Sequence, residues 1–202
     1  MEVGCSPPEW LHRVQHDGWD ALSLPLPPDA SLPASVQNQL REILADSTAA
    51  AALVLRIPAT TFSSWMSCKG GTRTNGQPMG GAGRPCTPAE RTENATALWM
   101  AQVYNEALET GGIFPIALHP APDLRYVKAW HLPSWRRLLA RRDLELLTFD
   151  WCAWRDHSEA CPRQRMACLV PRTAGLADAL CRTCCCPARD GPTHSALSLI
   201  HI

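Results

Sequence analysis

The stretch ALVLRIPATTFSS, Ala52–Ser64, decides how the rest of the chain is read. Five of the six residues from Ala52 to Ile57 are apolar, with Arg56 the exception. An apolar run of that length suits a strand buried on both faces, as in the middle of a parallel sheet. The run breaks at Pro58 into a polar turn, so Pro58-Ala59-Thr60-Thr61-Phe62-Ser63 falls at the carboxyl end of the strand. In open α/β sheets that is the end where ligand crevices form.

Upstream, Glu2-Val3-Gly4-Cys5 reads as the tail of a first strand entering a turn, and Trp10-Leu11-His12-Arg13-Val14 opens the helix after it. Gly18 to Leu24 reads as a second strand, stopped by Pro25, Pro27 and Pro28. Val36, Leu40, Ile43 and Leu44 then recur at helical spacing as one buried stripe, with Ser35 placed to cap it. This helix delivers the chain to the strand at Ala52 and completes a βαβ-like unit.

Downstream, Ser63 to Arg84 is irregular, with glycines at 70, 71, 76, 80, 81 and 83. A loop of that length in a compact domain is either functional or a loose insertion. Helix signals resume at Thr87-Pro88-Ala89-Glu90: a capping threonine, proline at the first helical position, and glutamate three residues after the cap. Ala97, Met100, Ala101, Tyr104 and Leu108 line one face of this helix, and Gly111 stops it. Ile113 to Leu118 is another buried strand, ending at His119-Pro120. Trp130-His131-Leu132-Pro133 opens a short basic helix, with Trp135, Leu138 and Leu139 inward and Arg136, Arg137, Arg141 and Arg142 outward. Its tryptophans read as core residues before stacking platforms. Strands at Leu144–Phe149 and Met166–Val170 complete the alternation of elements, which points to an α/β fold.

At 202 residues the chain is long enough to bury a core as one domain with a small appendage. It has no apolar run of the ~18 residues needed to span a membrane, and MEVGCSPPEW has no secretory pattern. The expectation is cytoplasmic or nuclear residence, without a membrane partner. Formal net charge is zero, which argues against binding nucleic acid through bulk electrostatics. The charge is nevertheless uneven: residues 1–124 hold 7 basic and 12 acidic side chains, and residues 125–202 hold 12 and 7. The arginine-rich second half reads either as an ordinary solvated surface or as a DNA-contacting face. The Asn94-Ala95-Thr96 sequon falls in a predicted helix and reads as idle.

Several of these segments resemble one family. The Pro58–Ser63 loop resembles the Pro-Cys-Thr-Thr-Phe-Ser type of loop in relatives of the cytosine-C5 DNA methyltransferases, with Ala59 where the nucleophilic cysteine would stand. Glu2-Val3-Gly4 is similar to the start of the Glu-x-Gly-x-Gly-x-Gly turn of class I methyltransferases, which implies S-adenosylmethionine as cofactor, held through Glu2 and Gly4. Leu118 falls where the family carries the glutamate that holds the cytosine ring. Phe149-Asp150-Trp151-Cys152 resembles its Phe-Asp-x-Cys segment. Pro162-Arg163-Gln164-Arg165 resembles its Gln-x-Arg-x-Arg stretch, which implies Arg163 and Arg165 near the target base and its phosphates.

The fold implied is Rossmann-like, with a mainly parallel sheet and flanking helices, and the family chemistry is thiolate attack on a flipped cytosine followed by methyl transfer. The degenerate loop Pro58-Ala59-Thr60 contains no sulfur, and Leu118 supplies no acid. Pro7 and Pro8 also remove two N–H groups from the cofactor turn. Cys68 and Cys86 lie in the glycine-rich loop, but neither follows the orienting proline. The implied protein is therefore a catalytically silent methyltransferase-like chain, or a fragment of one.

The alternative is a zinc-binding module for nucleic acid or protein. Cys181 and Cys184 have the two-residue gap that lets two sulfurs meet one ion, and Cys186 with His194 completes a tetrahedral set. Unliganded thiols are the competing reading of the same residues. The closing Leu197-Ser198-Leu199-Ile200-His201-Ile202 resembles the translated end of a transposase adaptor and is set apart from the fold. The expected organisation is an α/β domain over 1–172 with its long loop at 63–86, a Cys/His-rich segment over 173–196, and the tail over 197–202. The sequence carries no signal for oligomeric state.

Overall fold

The computed structural model describes residues 2–4, 23–25, 38, 42, 51–62, 70–111, 113–120, 127–150 and 165–180. Among the described residues, six strands form one sheet: β1 (Glu2–Gly4), β2 (Ser23–Pro25), β3 (Ala51–Arg56), β4 (Ile113–Pro120), β5 (Leu144–Asp150) and β6 (Arg165–Pro171). The helices described from end to end among these residues are α1 (Pro88–Thr110), α2 (Pro133–Leu139), preceded by a 3-10 turn at Ala129–His131, and α3 (Leu176–Leu180). Asn38 and Glu42 are helical and exposed, which suits positions off the stripe expected over Val36–Leu44.

The strand order is β2-β1-β3-β4-β6-β5. β1 pairs in parallel with β2 and β3, and β3 in parallel with β4, whereas β6 runs antiparallel to both β4 and β5. The fold is thus a mixed α/β sheet with helices. Parallel pairing is confined to the first four strands, because β6 inserts between β4 and β5 against the direction of both. The order reverses at β1, with β2 on one side and β3 and β4 on the other. The carboxyl ends of β1 and β3 therefore flank a switch point, the place where open sheets form crevices.

The two faces of β3 differ, contrary to the expectation of burial on both. Leu53, Leu55 and Ile57 are buried, but Ala52 is exposed and Val54 and Arg56 only half-buried. The buried set faces α1, whose Ala97, Met100, Ala101, Tyr104 and Ala107 close over it together with Ala117, Ala167 and Leu169. Fully burying a side chain the size of Met100 stabilises by about 1.5–3 kcal/mol, so this layer is the main apolar core. The opposite face carries a smaller cluster of Leu118, Leu147, Phe149, Met166, Cys168 and Val170, with Leu176 and Ala177 of α3 packed against it.

Helix α1 begins as its sequence requires. The Thr87 hydroxyl accepts from the Glu90 N–H at 3.2 Å, Glu90 Oε2 accepts from the Thr87 N–H at 2.8 Å, and Pro88 occupies the first turn. It ends on Gly111 in the left-handed conformation (φ 71°). Tyr104 donates its hydroxyl to the Leu169 carbonyl at 3.2 Å, and Trp135 its indole N–H to the Ala97 carbonyl at 3.0 Å, tying α1 to β6 and to α2. Trp130 and Trp135 are core residues, as expected. Arg136, Arg137 and Arg142 are exposed, and Arg141 pairs with Asp143 at 2.7 Å. Asn94 is buried and hydrogen-bonded within the protein, consistent with an idle sequon.

Candidate functional site

Beyond β3 the backbone turns at once. The Phe62 N–H donates to the Ala59 carbonyl at 3.2 Å, closing a tight turn over Ala59-Thr60-Thr61-Phe62. The Ile57 N–H donates to the Leu118 carbonyl at 2.9 Å, so this turn stays beside the end of β4. The register Glu2↔Val54 and Val3↔Leu55 brings Gly4 to the same end of the sheet. Arg165, which opens β6 opposite Asp150, lies at that end as well, because Pro120 pairs with Met166. Two strand spacings, about 10 Å, separate β3 from β6.

Gly4, Pro58, Ala59, Thr60 and Arg165 are thus gathered at one end of the sheet, with Glu2 two residues deeper in β1. The Leu118 side chain packs in the smaller cluster, on the face away from α1. Arg163, Cys152, Cys68 and the set Cys181, Cys184, Cys186 and His194 lie outside the described residues. Among the described residues there is no group of three or more metal-ligating side chains.

The glycine-rich loop is docked from Gly70 onward, and the latch is Arg73. Its guanidinium is buried and every one of its N–H groups has an acceptor. Nε donates to Thr61 Oγ1 at 3.0 Å; Nη2 donates to Thr61 Oγ1 at 2.8 Å and to the Glu90 carbonyl at 3.3 Å. Nη1 donates to the Pro78 carbonyl at 2.5 Å and to Asn94 Oδ1 at 2.7 Å. The same group lies 3.8 Å from the centroid of the Phe62 ring. Burial pulls the Arg73 pKa below its ordinary value, opposed by the carboxylates of Glu93 and Glu90. Glu93 completes the arrangement: Oε2 accepts from the Thr61 N–H at 2.9 Å and from the Thr61 hydroxyl. One threonine of the β3 turn thereby joins a loop arginine to a helix carboxylate.

A second carboxylate, this one buried, holds the other side of the loop. Glu90 accepts from the Thr72 N–H at 2.6 Å, from the Thr72 hydroxyl at 2.7 Å and from the Thr87 N–H. Burial alone would raise its pKa, but the bonds from Thr72 and Thr87 outweigh it and bring the value down to about 2. Gly80 allows this fit. At φ +89° it takes a conformation open to glycine, and a Cβ there would stand 2.8 Å from Thr72 Oγ1 and 3.3 Å from Glu90 Cδ. Cys86 packs in the same place, its Sγ 3.4 Å from the Met79 carbonyl oxygen.

Sequence reasoning missed Arg73, Glu93 and Asn94 as a unit. The available signal was the polar triplet Glu90, Glu93 and Asn94 on the first turns of α1, at the spacing that shares one helix face. Deeper in, His119 at the end of β4 is buried edge-on between Phe62 and Trp130, with ring centroids 5.8 Å away in both cases. Burial lowers its pKa to about 4, with Lys128 and His131 acting in the same direction against its bond to the Pro120 carbonyl, so the ring is neutral at physiological pH. Compared with known proteins, the chain matches no family model, no curated protein and no solved structure.

Proposed function

We propose that this chain is a Rossmann-like, methyltransferase-related protein without methyl-transfer chemistry. The observation that carries the reading is the position of Ala59: it sits in the tight turn that leaves β3 at the switch point, and it presents a methyl group where the resemblance requires a thiolate. Supporting it, Leu118, two residues before the end of the neighbouring β4, has an apolar side chain, leaving no acid there to engage a ring nitrogen. Cys86 does not substitute, because its sulfur is packed among Met79, Gly80 and Gly81 at the foot of α1. The donor set does not fit S-adenosylmethionine either. Its carboxylate calls for backbone N–H groups at the β1 exit, and Pro7 and Pro8 have none.

Isothermal titration of the purified protein with S-adenosylmethionine tests the cofactor side of this reading. The expected result is no measurable heat or a dissociation constant far above micromolar. Micromolar binding, about 8 kcal/mol, overturns it.

The exposed guanidinium groups of Arg136, Arg137 and Arg142 favour a second reading, an interaction module that takes DNA through the basic half. Binding of duplex DNA that weakens steeply with salt, and is lost on changing these three arginines to glutamine, would support it. Salt-insensitive or absent binding would remove it.

A further inference from the structure

The aromatic file behind the β3 turn contains two buried polar atoms without a hydrogen-bond partner among the described residues: Nε2 of His119 and Nε1 of Trp130. Both residues are almost fully buried, at 1% and 4% exposure. Buried polar atoms in folded proteins are nearly always satisfied, and an orphan points to a water molecule or ligand that completes it. Here the two orphans are complementary. His119 Nδ1 lies 2.6 Å from the Pro120 carbonyl oxygen, which can only accept, so Nδ1 carries the proton and Nε2 presents a lone pair. The Trp130 indole can only donate. The two rings are neighbours at 5.8 Å between centroids, inclined by 63°.

We infer that His119 and Trp130 form a buried receptor for a single hydroxyl group, which accepts the Trp130 indole proton and donates its own to His119 Nε2. A hydroxyl has this donor-and-acceptor pattern; an ammonium group cannot accept from the indole, and a carboxylate cannot donate to the imidazole. The hydroxyl comes either from water or from a small alcohol-bearing ligand. The receptor stands at the carboxyl end of β4 beside Phe62, and Arg73, stacked on the Phe62 ring, covers that side from the glycine-rich loop. The inference is independent of the methyltransferase reading, since it uses neither Ala59 nor the β1 turn.

The competing arrangement is an indole N–H directed at the face of Trp135, whose ring is perpendicular to Trp130 with centroids 5.3 Å apart. Solution NMR of the 202-residue chain separates the two. A nuclear Overhauser contact between the Trp130 indole proton and a long-lived water is expected, together with a His119 Nε2 nitrogen shift typical of a hydrogen-bonded acceptor. Titration with methanol is the second arm. Transfer of the indole contact from water to the methanol methyl group assigns the hydroxyl to an exchangeable ligand, and persistence of the water contact assigns it to resident water. His119→Phe should abolish the contact while the Trp130 resonance remains. An indole proton shifted upfield by the Trp135 ring, with no contact to water or methanol in the unmodified protein, overturns the inference.

Discussion

Replacing Glu90 by glutamine removes a charge from a fully buried carboxylate that both caps α1 and anchors the glycine-rich loop. Three donors converge on it at 2.6, 2.7 and 2.8 Å. A glutamine carbonyl can face two of them at best, and its NH2 group then meets the third donor head-on. The magnitude follows from ionisation. Lowering a carboxyl from 4.5 to about 2 corresponds to about 3 kcal/mol in favour of the ionised group in the folded state. Because the folded value is depressed, this stability is fully present above about pH 4.5 and is lost as the pH falls towards 2. Urea unfolding followed by tryptophan fluorescence measures it. Glu90→Gln should be about 3 kcal/mol less stable than the parent at pH 7, and the gap should shrink to roughly 1 kcal/mol near pH 2.5. A variant as stable as the parent at pH 7, or a gap that does not change between the two pH values, would show that the loop is not held through this carboxylate.

Arg73→Met keeps much of the stem volume but leaves Glu93, Asn94 Oδ1 and the Pro78 carbonyl without their cation. A loss of about 3–5 kcal/mol is expected, with new cleavage within residues 70–86 under limited proteolysis; an intact loop in the variant would contradict the latch. Gly80→Ala puts a Cβ 2.8 Å from Thr72 Oγ1 at a positive φ and should cost about 1–3 kcal/mol, so an unchanged melting temperature would count against the docking geometry. Ala59→Cys should leave the protein folded and still unable to methylate cytosine, since Leu118 supplies no acid. Methyl incorporation restored by that single change would show that the role assigned to position 118 is misread.

Helix α1 was legible because its signals are local: Thr87, Pro88 and Glu90 at one end, Gly111 at the other, and apolar residues at helical spacing between them. The strand read over Ala52–Ile57 and found at Ala51–Arg56 was legible for the same reason, as were the inward tryptophans of the α2 region. The one-sided burial of β3 was not legible, because an apolar run cannot show whether a second layer covers Ala52 and Val54; the partners that decide it lie elsewhere in the chain. The order of the last strands depends on β6 entering between β4 and β5, a choice made by tertiary packing. The docked loop was hidden most completely. Glu90 was recognisable as a capping glutamate, yet its bonds to Thr72 reach back 18 residues, and Arg73 finds Thr61 on the far side of the segment that begins at Ser63. Composition made that loop look open, whereas a few buried charge-assisted bonds hold it closed.

The proposed absence of transfer chemistry is tested most directly by incubating the purified protein with S-adenosylmethionine carrying a tritiated methyl group and with cytosine-rich duplex DNA, and counting label retained on the DNA. Label at the level of the protein-free control is expected, because on the proposed reading Ala59 and Leu118 stand at the two positions that the reaction needs. Incorporation that rises in proportion to protein concentration would contradict it.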